Sequence, residues 1–465
     1  MPLAWIERAR NAPYFVDEHG SPWTPIGQND AITWPELRGL FRRRDIAPAE
    51  IYLQTLAEHG VTCLRLMLEY SQTGHRYFER RAGVFNPELV LLWDDLFSAC
   101  RRYGLRVLLT PYDTFWMWMK WKNHPYSTAK GGPCRSSRSL LLCPDTRLLI
   151  KQRLRFATER WGGDGAIFAW DLWNEIHPAQ AQNSADCFFE FVEDISTDLS
   201  SRENQLYGRA HLQTVSVFTP AFILDSRIAN TAYRHPCLHF SNIHLYEEGT
   251  IDHPRNTVDA AVSTGKLVAE ALAEIRDFRP FFDSEHGPIH TFKDHHRTLP
   301  EAFDDEYFRH MQWAHFASGG AGGGMRWPNR RVHSLTPGMR LAQKALADFL
   351  PLIDWVDFKR INRNATVEVS RKEAEVFACS DERQAVVYLL RRDTLRKNGM
   401  LNRSAPPLSV SVRIPGLTLG SYSVTAWDPV CGKPIAQFCS SEPTIAVPSF
   451  TGDIALAVVA QPIVT

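Results

Sequence analysis

Residues 166–178 read AIFAWDLWNEIHP. Apart from Asp171 the segment is apolar from Ala166 to Trp173, and it then turns polar at once with Asn174, Glu175 and His177. A near-continuous apolar run of this length is the pattern of a strand covered on both faces, as in a parallel sheet flanked by helices. A carboxylate that ends such a strand is costly to place unless it is paired or hydrogen-bonded. The position of Glu175 therefore predicts either a strand end with a task or a helix N-cap or satisfied salt bridge.

Seven further apolar runs occur at 24–28, 61–68, 105–110, 212–218, 239–245, 280–284 and 322–327, and amphipathic segments separate them. The helices carry physical punctuation: Asn86 is placed as an N-cap with Pro87 at the first helical position, Leu92 and Leu96 form an apolar stripe, and Gly104 follows the end. Asp145 opens another helix that runs to Trp161. Eight such units between residue 24 and about residue 350 predict an α/β fold, a (β/α)8 TIM barrel. A doubly wound nucleotide-binding sheet would place a Gly-rich phosphate turn after its first strand, whereas residues 25–30 read PIGQND. The Gly-rich run before Trp327 lacks a phosphate-loop ending and is read as close backbone packing at the eighth strand.

Past residue 360 the pattern becomes strand-length and alternating, at 366–370, 374–378, 384–390, 408–414, 422–427 and 454–460. This predicts a small C-terminal antiparallel β-sandwich. The expected division is a catalytic barrel at 1–357 and an accessory sandwich at 358–465, joined by a linker near 357–364.

Composition narrows the partners. In 465 residues Lys+Arg and Asp+Glu balance at 52 each, so no bulk field draws in nucleic acid or an anionic membrane. No apolar run approaches the roughly 20 residues of a membrane helix. Fourteen Trp are many, and an indole is costly to expose unless it packs or meets a flat ligand face such as a sugar. The opening MPLAWIERARNAPYF does not read as a secretory signal, so a cytoplasmic location is expected. The nine cysteines are scattered and read as reduced thiols; Cys134 and Cys143, which flank a loop, are the pair that would join in an oxidising compartment. No His/Cys metal spacing occurs, so neither metal nor cofactor is expected. A monomer or small homo-oligomer is anticipated.

In a barrel the segments after the C-terminal strand ends build the active site. Two further ends stand out. Residues 279–288, RPFFDSEHGP, end in Glu285 and His286, and residues 239–249, HFSNIHLYEEG, end in His244 and Tyr246. Two carboxylates on opposing strands, with Asn174 and the His244/Tyr246 pair, suit acid/base chemistry better than a set of structural caps. The segment 112–144 holds Phe115, Trp116, Trp118 and Trp121 within seven residues. It is read as a long loop with no helix of its own, projecting over the site as a sugar-stacking wall. Trp173 and Trp327 are read in the same way.

These residues carry a resemblance. The Asn-Glu of strand 4, the His-x-Tyr of strand 6 and the Ser-Glu-x-Gly of strand 7 resemble the (β/α)8 glycoside hydrolases of the cellulase and β-mannanase superfamily, glycoside hydrolase family 5 and its clan. The opening YFVDEHGSPWTPIGQN, Arg65 near the end of strand 2 and Trp327 at strand 8 extend it over about residues 14–350. The segment SYSVTAWDPVCGKPI, with Gly432 in a hairpin turn, is similar to the small sandwich domains that follow many clan barrels and brace them.

The resemblance implies Glu175 as general acid/base, Glu285 as nucleophile and Asn174 as donor to the 2-hydroxyl of the sugar. It implies further that His244 and Tyr246 line that subsite, with Tyr246 and Arg65 holding Glu285. The physical logic agrees. A retaining enzyme keeps one carboxyl ionised and the other protonated, about 5–5.5 Å apart. Arg65 and a Tyr hydroxyl favour an ionised Glu285, and Glu175, facing that charge among Trp170 and Trp173, has its pKa raised.

The implied function is a retaining hydrolase of β-linked gluco- or manno-configured oligo- or polysaccharides. The alternatives are a sugar-binding protein without turnover and a transglycosylase using the same two residues. Strand 3 departs from the family pattern in ending with Tyr112 and Asp113, which leaves the glycone subsite open, with Asp113 as a binding candidate. His177 and His286 also depart from it, as residues that tune the acids or bind hydroxyls.

Overall fold

The computed structural model describes residues 2–29, 39–69, 77–219, 225–289, 298–327, 335–418 and 420–461, except for the side chain of Trp116. Its first part is mixed α/β with parallel strands: β1 (Gly27–Asn29), β2 (Cys63–Met67), β3 (Arg106–Thr110), β4 (Ile167–Asp171), β5 (Leu212–Thr214), β6 (Ser216–Thr219), β7 (Ser241–Leu245) and β8 (Phe281–Phe282). Strands β1 to β5 neighbour one another in sequence order, and β6, β7 and β8 form a second parallel group. β5 and β6 are one apolar run interrupted at Val215. Beyond β8, parallel bridges join Leu245 to His286, His286 to Arg326 and Arg326 to Gln28.

The expected run at 322–327 gives only the bridging residue Arg326 rather than a strand. Its glycines explain this. Gly322 and Gly324 have φ of 107° and 75°, and a Cβ on Gly322 would lie 2.3 Å from the Pro25 carbonyl oxygen. The chain turns there and passes too close to its neighbour for side chains.

Between the strands lie α1 (Ala47–Glu58), α2 (Pro87–Tyr103), α3 (Thr114–Met119), α4 (Pro144–Trp161), α5 (Phe188–Tyr207), α6 (Ser226–Arg234), α7 (Thr257–Glu274), α8 (Glu301–Ala317) and α9 (Pro337–Phe349). Helix α2 starts as its sequence predicts: Asn86 accepts from the Glu88 N–H at 3.2 Å, and Gly104 closes it at φ 71°. A cap of this kind contributes about 1 kcal/mol. A small antiparallel sheet of Ile6–Arg8, Phe15–Asp17 and Pro22–Trp23 covers the strand starts, where Phe15 meets Phe168 and Phe240 edge-on at 5.2 and 5.4 Å. This leaves the opposite strand ends to form a site.

The C-terminal part is antiparallel throughout. One sheet has six strands, with Gln384–Arg391 and Asp453–Ala460 paired at its centre, and a second sheet has three. Val387 and Leu456 of the first share an apolar cluster with Val412 and Ile445 of the second. On its other face Phe377, Tyr388 and Trp427 join Trp313, Phe316 and Phe349 of α8 and α9. The expected linker at 357–364 is a packed joint. Buried Arg360 donates to the carbonyl oxygens of Phe316 and Gly320, and Asn362 donates to that of Ser318 at 2.7 Å. Among the described residues no helix is long and apolar enough to cross a membrane, and all nine cysteines are free thiols.

Candidate active site

Strand β4 delivers Asn174 and Glu175 to the end of the parallel strands. The Asn174 N–H donates to the Tyr112 carbonyl oxygen at 2.9 Å, and Asn174 bridges to Asp113. Glu175 has φ of 50°, the left-handed region, and its N–H donates to Ser216 Oγ at 3.0 Å. A non-glycine residue held there costs roughly 1–3 kcal/mol, a strain that collects at working sites. Glu285 lies three residues past β8, with its carbonyl oxygen accepting from Leu245 N–H at 3.0 Å.

Behind the two carboxylates lies Arg65, fully buried on β2. Its Nη1 donates to Glu285 Oε2 at 2.7 Å and to Asn29 Oδ1 at 2.8 Å, and its Nη2 donates to Asp171 Oδ2 at 2.8 Å and to Asn174 Oδ1. The Tyr246 hydroxyl donates to the other oxygen, Glu285 Oε1, at 2.7 Å. Asn174 Nδ2 donates to Asp113 Oδ1 at 2.6 Å. His244 faces Glu175 Oε1 with Nδ1 at 2.8 Å and Ser284 Oγ with Nε2 at 3.1 Å.

Burial, the first cause, and the nearby Glu285 charge raise the Glu175 carboxyl well above the usual range. Burial also raises Glu285, to about 7, against the opposing pull of Arg65 and the Tyr246 hydroxyl. Both contacts favour the ionised form of Glu285, as the sequence led us to expect, but desolvation outweighs them. Both carboxyls are raised, and the Tyr246 hydroxyl favours the charged form at Glu285. Burial, then Arg65, hold His244 well below its usual value, so the imidazole is neutral. Its single N–H can donate to Glu175 while its other nitrogen accepts from Ser284.

The carboxylates open on a cavity of about 430 Å³. Asp113, Asn174, Glu175, Tyr246 and Glu285 form its polar floor, and Trp327 and Phe115 are among its walls. Arg65 and His244 stand behind the floor, fully buried, so His244 does not line the cavity as expected but orients Glu175 from below.

Trp173 does not face the cavity as expected. It is wholly buried, stacked on Tyr112 at 5.0 Å, with its indole N–H donated to Thr114 Oγ1 and Gln180 Oε1 at 2.9 and 3.1 Å, so its ring is spent on the core. Trp170 likewise donates to Glu203 at 2.9 Å and does not surround Glu175.

The segment 112–144 is not the helix-free loop expected. It carries α3 and three 3-10 turns. Trp121 packs flat on His124 at 5.5 Å and joins the main apolar core, whereas Trp118 lies outside the cavity with its ring 6.1 Å from that of His177. The predicted role of Trp116 falls on a side chain outside the described residues. His286 bonds Asp283 at 2.7 Å, and burial followed by Arg326 lowers it to about 3; it is a bridge between strands rather than a sugar ligand.

Asn29, Asp171 and Ser216 were missed in the sequence, although each is a polar residue at or near the end of an apolar run. Met67, Met119, Phe218 and Ile289, also in the cavity walls, carry no pattern that separates them from core.

Glu175, His244 and Glu285 place one ligand atom each within 4.8 Å of one another, a spacing a cation could use. Arg65 already neutralises Glu285 at 2.7 Å, and its fixed positive charge opposes a second cation beside it.

The sequence matches no family model and no curated protein. Solved structures do resemble it in fold. A glycoside hydrolase aligns with 98% of this chain and 97% of its own at TM-score 0.62 and 15% identity. A glycoside hydrolase family 5 protein from Bacteroides vulgatus aligns with 98% and 93% at 0.60 and 13%. A family 5 mannosidase from Rhizomucor miehei aligns with 72% of this chain and 92% of its own at 0.53 and 15%. In fold, then, the chain is similar to family 5 glycoside hydrolases over nearly its whole length.

Proposed function

We propose that this protein is a retaining β-glycosidase acting on gluco- or manno-configured glycosides, with Glu285 as nucleophile and Glu175 as general acid/base. The observation that carries the reading is the approach of the two carboxylates, which bring oxygens within 4.8 Å of each other on one cavity floor. That closeness suits direct attack; an inverting pair stands about 6.5–9.5 Å apart to admit a water. The fold likeness to family 5 glycoside hydrolases, mannosidases among them, supports the same chemistry.

In the first step an ionised Glu285 oxygen bonds to the anomeric carbon as the glycosidic C–O bond breaks, and Glu175 gives its proton to the departing oxygen. In the second, Glu175 takes a proton from water as the water oxygen displaces Glu285. Asn174, held by Arg65 and Asp113, is oriented toward the sugar 2-hydroxyl. Trp327 offers an aromatic face to the ring. The scaffold proposed is a (β/α)8 barrel at 1–357, supported by parallel pairing in sequence order and the bridges of Arg326 to His286 and Gln28. A β-sandwich at 358–465 braces it.

The test uses two variants whose fold is checked by circular dichroism. Glu285→Gln abolishes hydrolysis of an activated aryl β-glycoside. Glu175→Ala slows release of the glycosyl-enzyme, and azide restores turnover while forming a β-glycosyl azide. Wild-type rates in either variant would refute the assignment.

A further inference from the structure

We propose that the leaving-group side of this cavity receives an apolar aglycone, an alkyl or aryl group, in place of a second sugar. The proposal rests on the reading of Glu175 as acid and Glu285 as nucleophile.

The polar residues described in the cavity all belong to one cluster, the five side chains around the carboxylates. The remaining described lining is Met67, Phe115, Met119, Phe218, Ile289 and Trp327. A sugar in a second subsite would bring several hydroxyls, and each needs a hydrogen-bond partner if it leaves water. Among the described lining residues none is left over to supply one. Aromatic stacking alone serves one sugar face, whereas Met67, Met119 and Ile289 offer a hydroxyl nothing.

The topology puts the apolar surface where a leaving group departs. Glu175 lies four residues past the end of β4, and the neighbours of β4 are β3 and β5. The segment after β3 contributes Phe115 and Met119, and the continuation of β5 in β6 contributes Phe218, stacked on Tyr246 at 5.0 Å. The proton passes from Glu175 to the departing oxygen, so the group on that oxygen lies against these side chains. Trp327 follows Arg326, the bridge beside His286, and so stands on the nucleophile's side.

The surface continues beyond the cavity. Helix α3 reads TFWMWM with no charge. Phe115, Trp118 and Met119, spaced i, i+3 and i+4, share one face and are 50%, 49% and 57% exposed. Trp118 meets His177, two residues past Glu175. Large apolar side chains exposed together at a site's rim mark a binding surface, and this one is continuous with the cavity through Phe115 and Met119. An aglycone longer than the cavity would lie along it.

The experiment is a series of n-alkyl β-glycosides, methyl to octyl, of whichever sugar gives the fastest aryl β-glycoside hydrolysis. Their leaving groups have nearly constant acidity, so kcat/KM reports contact rather than chemistry. The expected result is a rise of about two- to fourfold per added methylene until the chain outgrows the cavity. The octyl glycoside should exceed a β-linked disaccharide of the same sugar. Benzyl and naphthylmethyl glycosides separate the two sources of apolar contact: an excess over alkyl groups of equal size assigns the wall to flat rings, and no excess assigns it to chains.

In the double variant Phe115→Ser/Met119→Ser, whose two sites are exposed and spare the core, the octyl-to-methyl ratio falls by at least tenfold. A series flat within twofold, or a preferred disaccharide, overturns this proposal while leaving the two-carboxylate reading intact. Failure to hydrolyse any aryl glycoside overturns both.

Discussion

Glu285 faces a guanidinium and a phenol hydroxyl, yet burial still lifts its carboxyl to about 7, and burial with the Glu285 charge raises Glu175 well above the usual range. The proposed nucleophile must be ionised and the acid protonated. We therefore expect kcat/KM for an aryl β-glycoside to climb with pH through about 7 and to fall at higher pH as Glu175 ionises, the two limbs belonging to the pair. A profile already flat in mildly acidic buffer would contradict it. Tyr246→Phe removes one donor to the charged form, so the lower limb moves up by about 1 unit.

The same shifts bear on stability. Both carboxyls have folded values above the unfolded value of about 4.3, so the folded state binds more protons and stability declines as pH rises from there. Glu175→Gln removes one such carboxyl, and its melting temperature should exceed the parent's by roughly 1–3 °C at alkaline pH but not in acid.

At this scale the sequence was informative where a polar residue ended an apolar run, as with Asn174, Glu175, Tyr246 and Glu285. It misled on Trp173, read as a sugar platform, because an indole at a strand end can turn to either side. It was also silent on Asp171, one more polar residue inside a strand until Arg65 is seen beside it.

Among the elements, long apolar runs between capped helices were readable because burial on both faces leaves no alternation to misread. Strand 8 was not, since glycine permits a strand and a turn alike. The clearance at Gly322 gives a direct check. An alanine there would meet the Pro25 carbonyl oxygen at a backbone φ unfavourable to it, and Gly322→Ala should lose roughly 1–3 kcal/mol in denaturant titration. An unchanged midpoint would mean that the chain passes less closely than described. Helix α3 escaped the sequence reading for another reason: six residues, nearly all large and apolar and none charged, span under two turns, too few for a helical period to separate from a loop wall. Thr444–Phe450 was missed because Pro448 interrupts its pattern.

For the whole molecule, the change from βα alternation to short alternating strands near residue 360 was visible in the chain, but the way the two parts meet was not. Which face of a strand packs on which helix depends on long-range pairing. The joint includes a buried charge cluster: Asp453 accepts from Arg309 at 3.0 Å, Arg403 at 2.7 Å and the Tyr388 hydroxyl at 3.2 Å. Burial opposes its charge, but the two arginines hold the carboxyl far below the usual range. Asp453→Asn removes the charge that both guanidinium groups share and leaves them Glu306 alone, at 3.8 and 3.5 Å, so we expect a loss of roughly 1–3 kcal/mol in chemical denaturation. Deleting residues 358–465 would bare Trp313, Phe316 and Phe349, so the shortened chain should aggregate. A soluble, active residues 1–357 fragment would show that the C-terminal part is dispensable.

Retention by double displacement requires that Glu285 become covalently bonded to the sugar. A 2-deoxy-2-fluoro β-glycoside with a dinitrophenyl leaving group slows both steps but spares the first, so the intermediate accumulates. Peptide mass spectrometry of the treated protein should find the fluorosugar on Glu285, with none in Glu285→Gln. Label on another residue, or turnover with no label and an inverted anomer as first product, would mean that Glu285 is not the nucleophile.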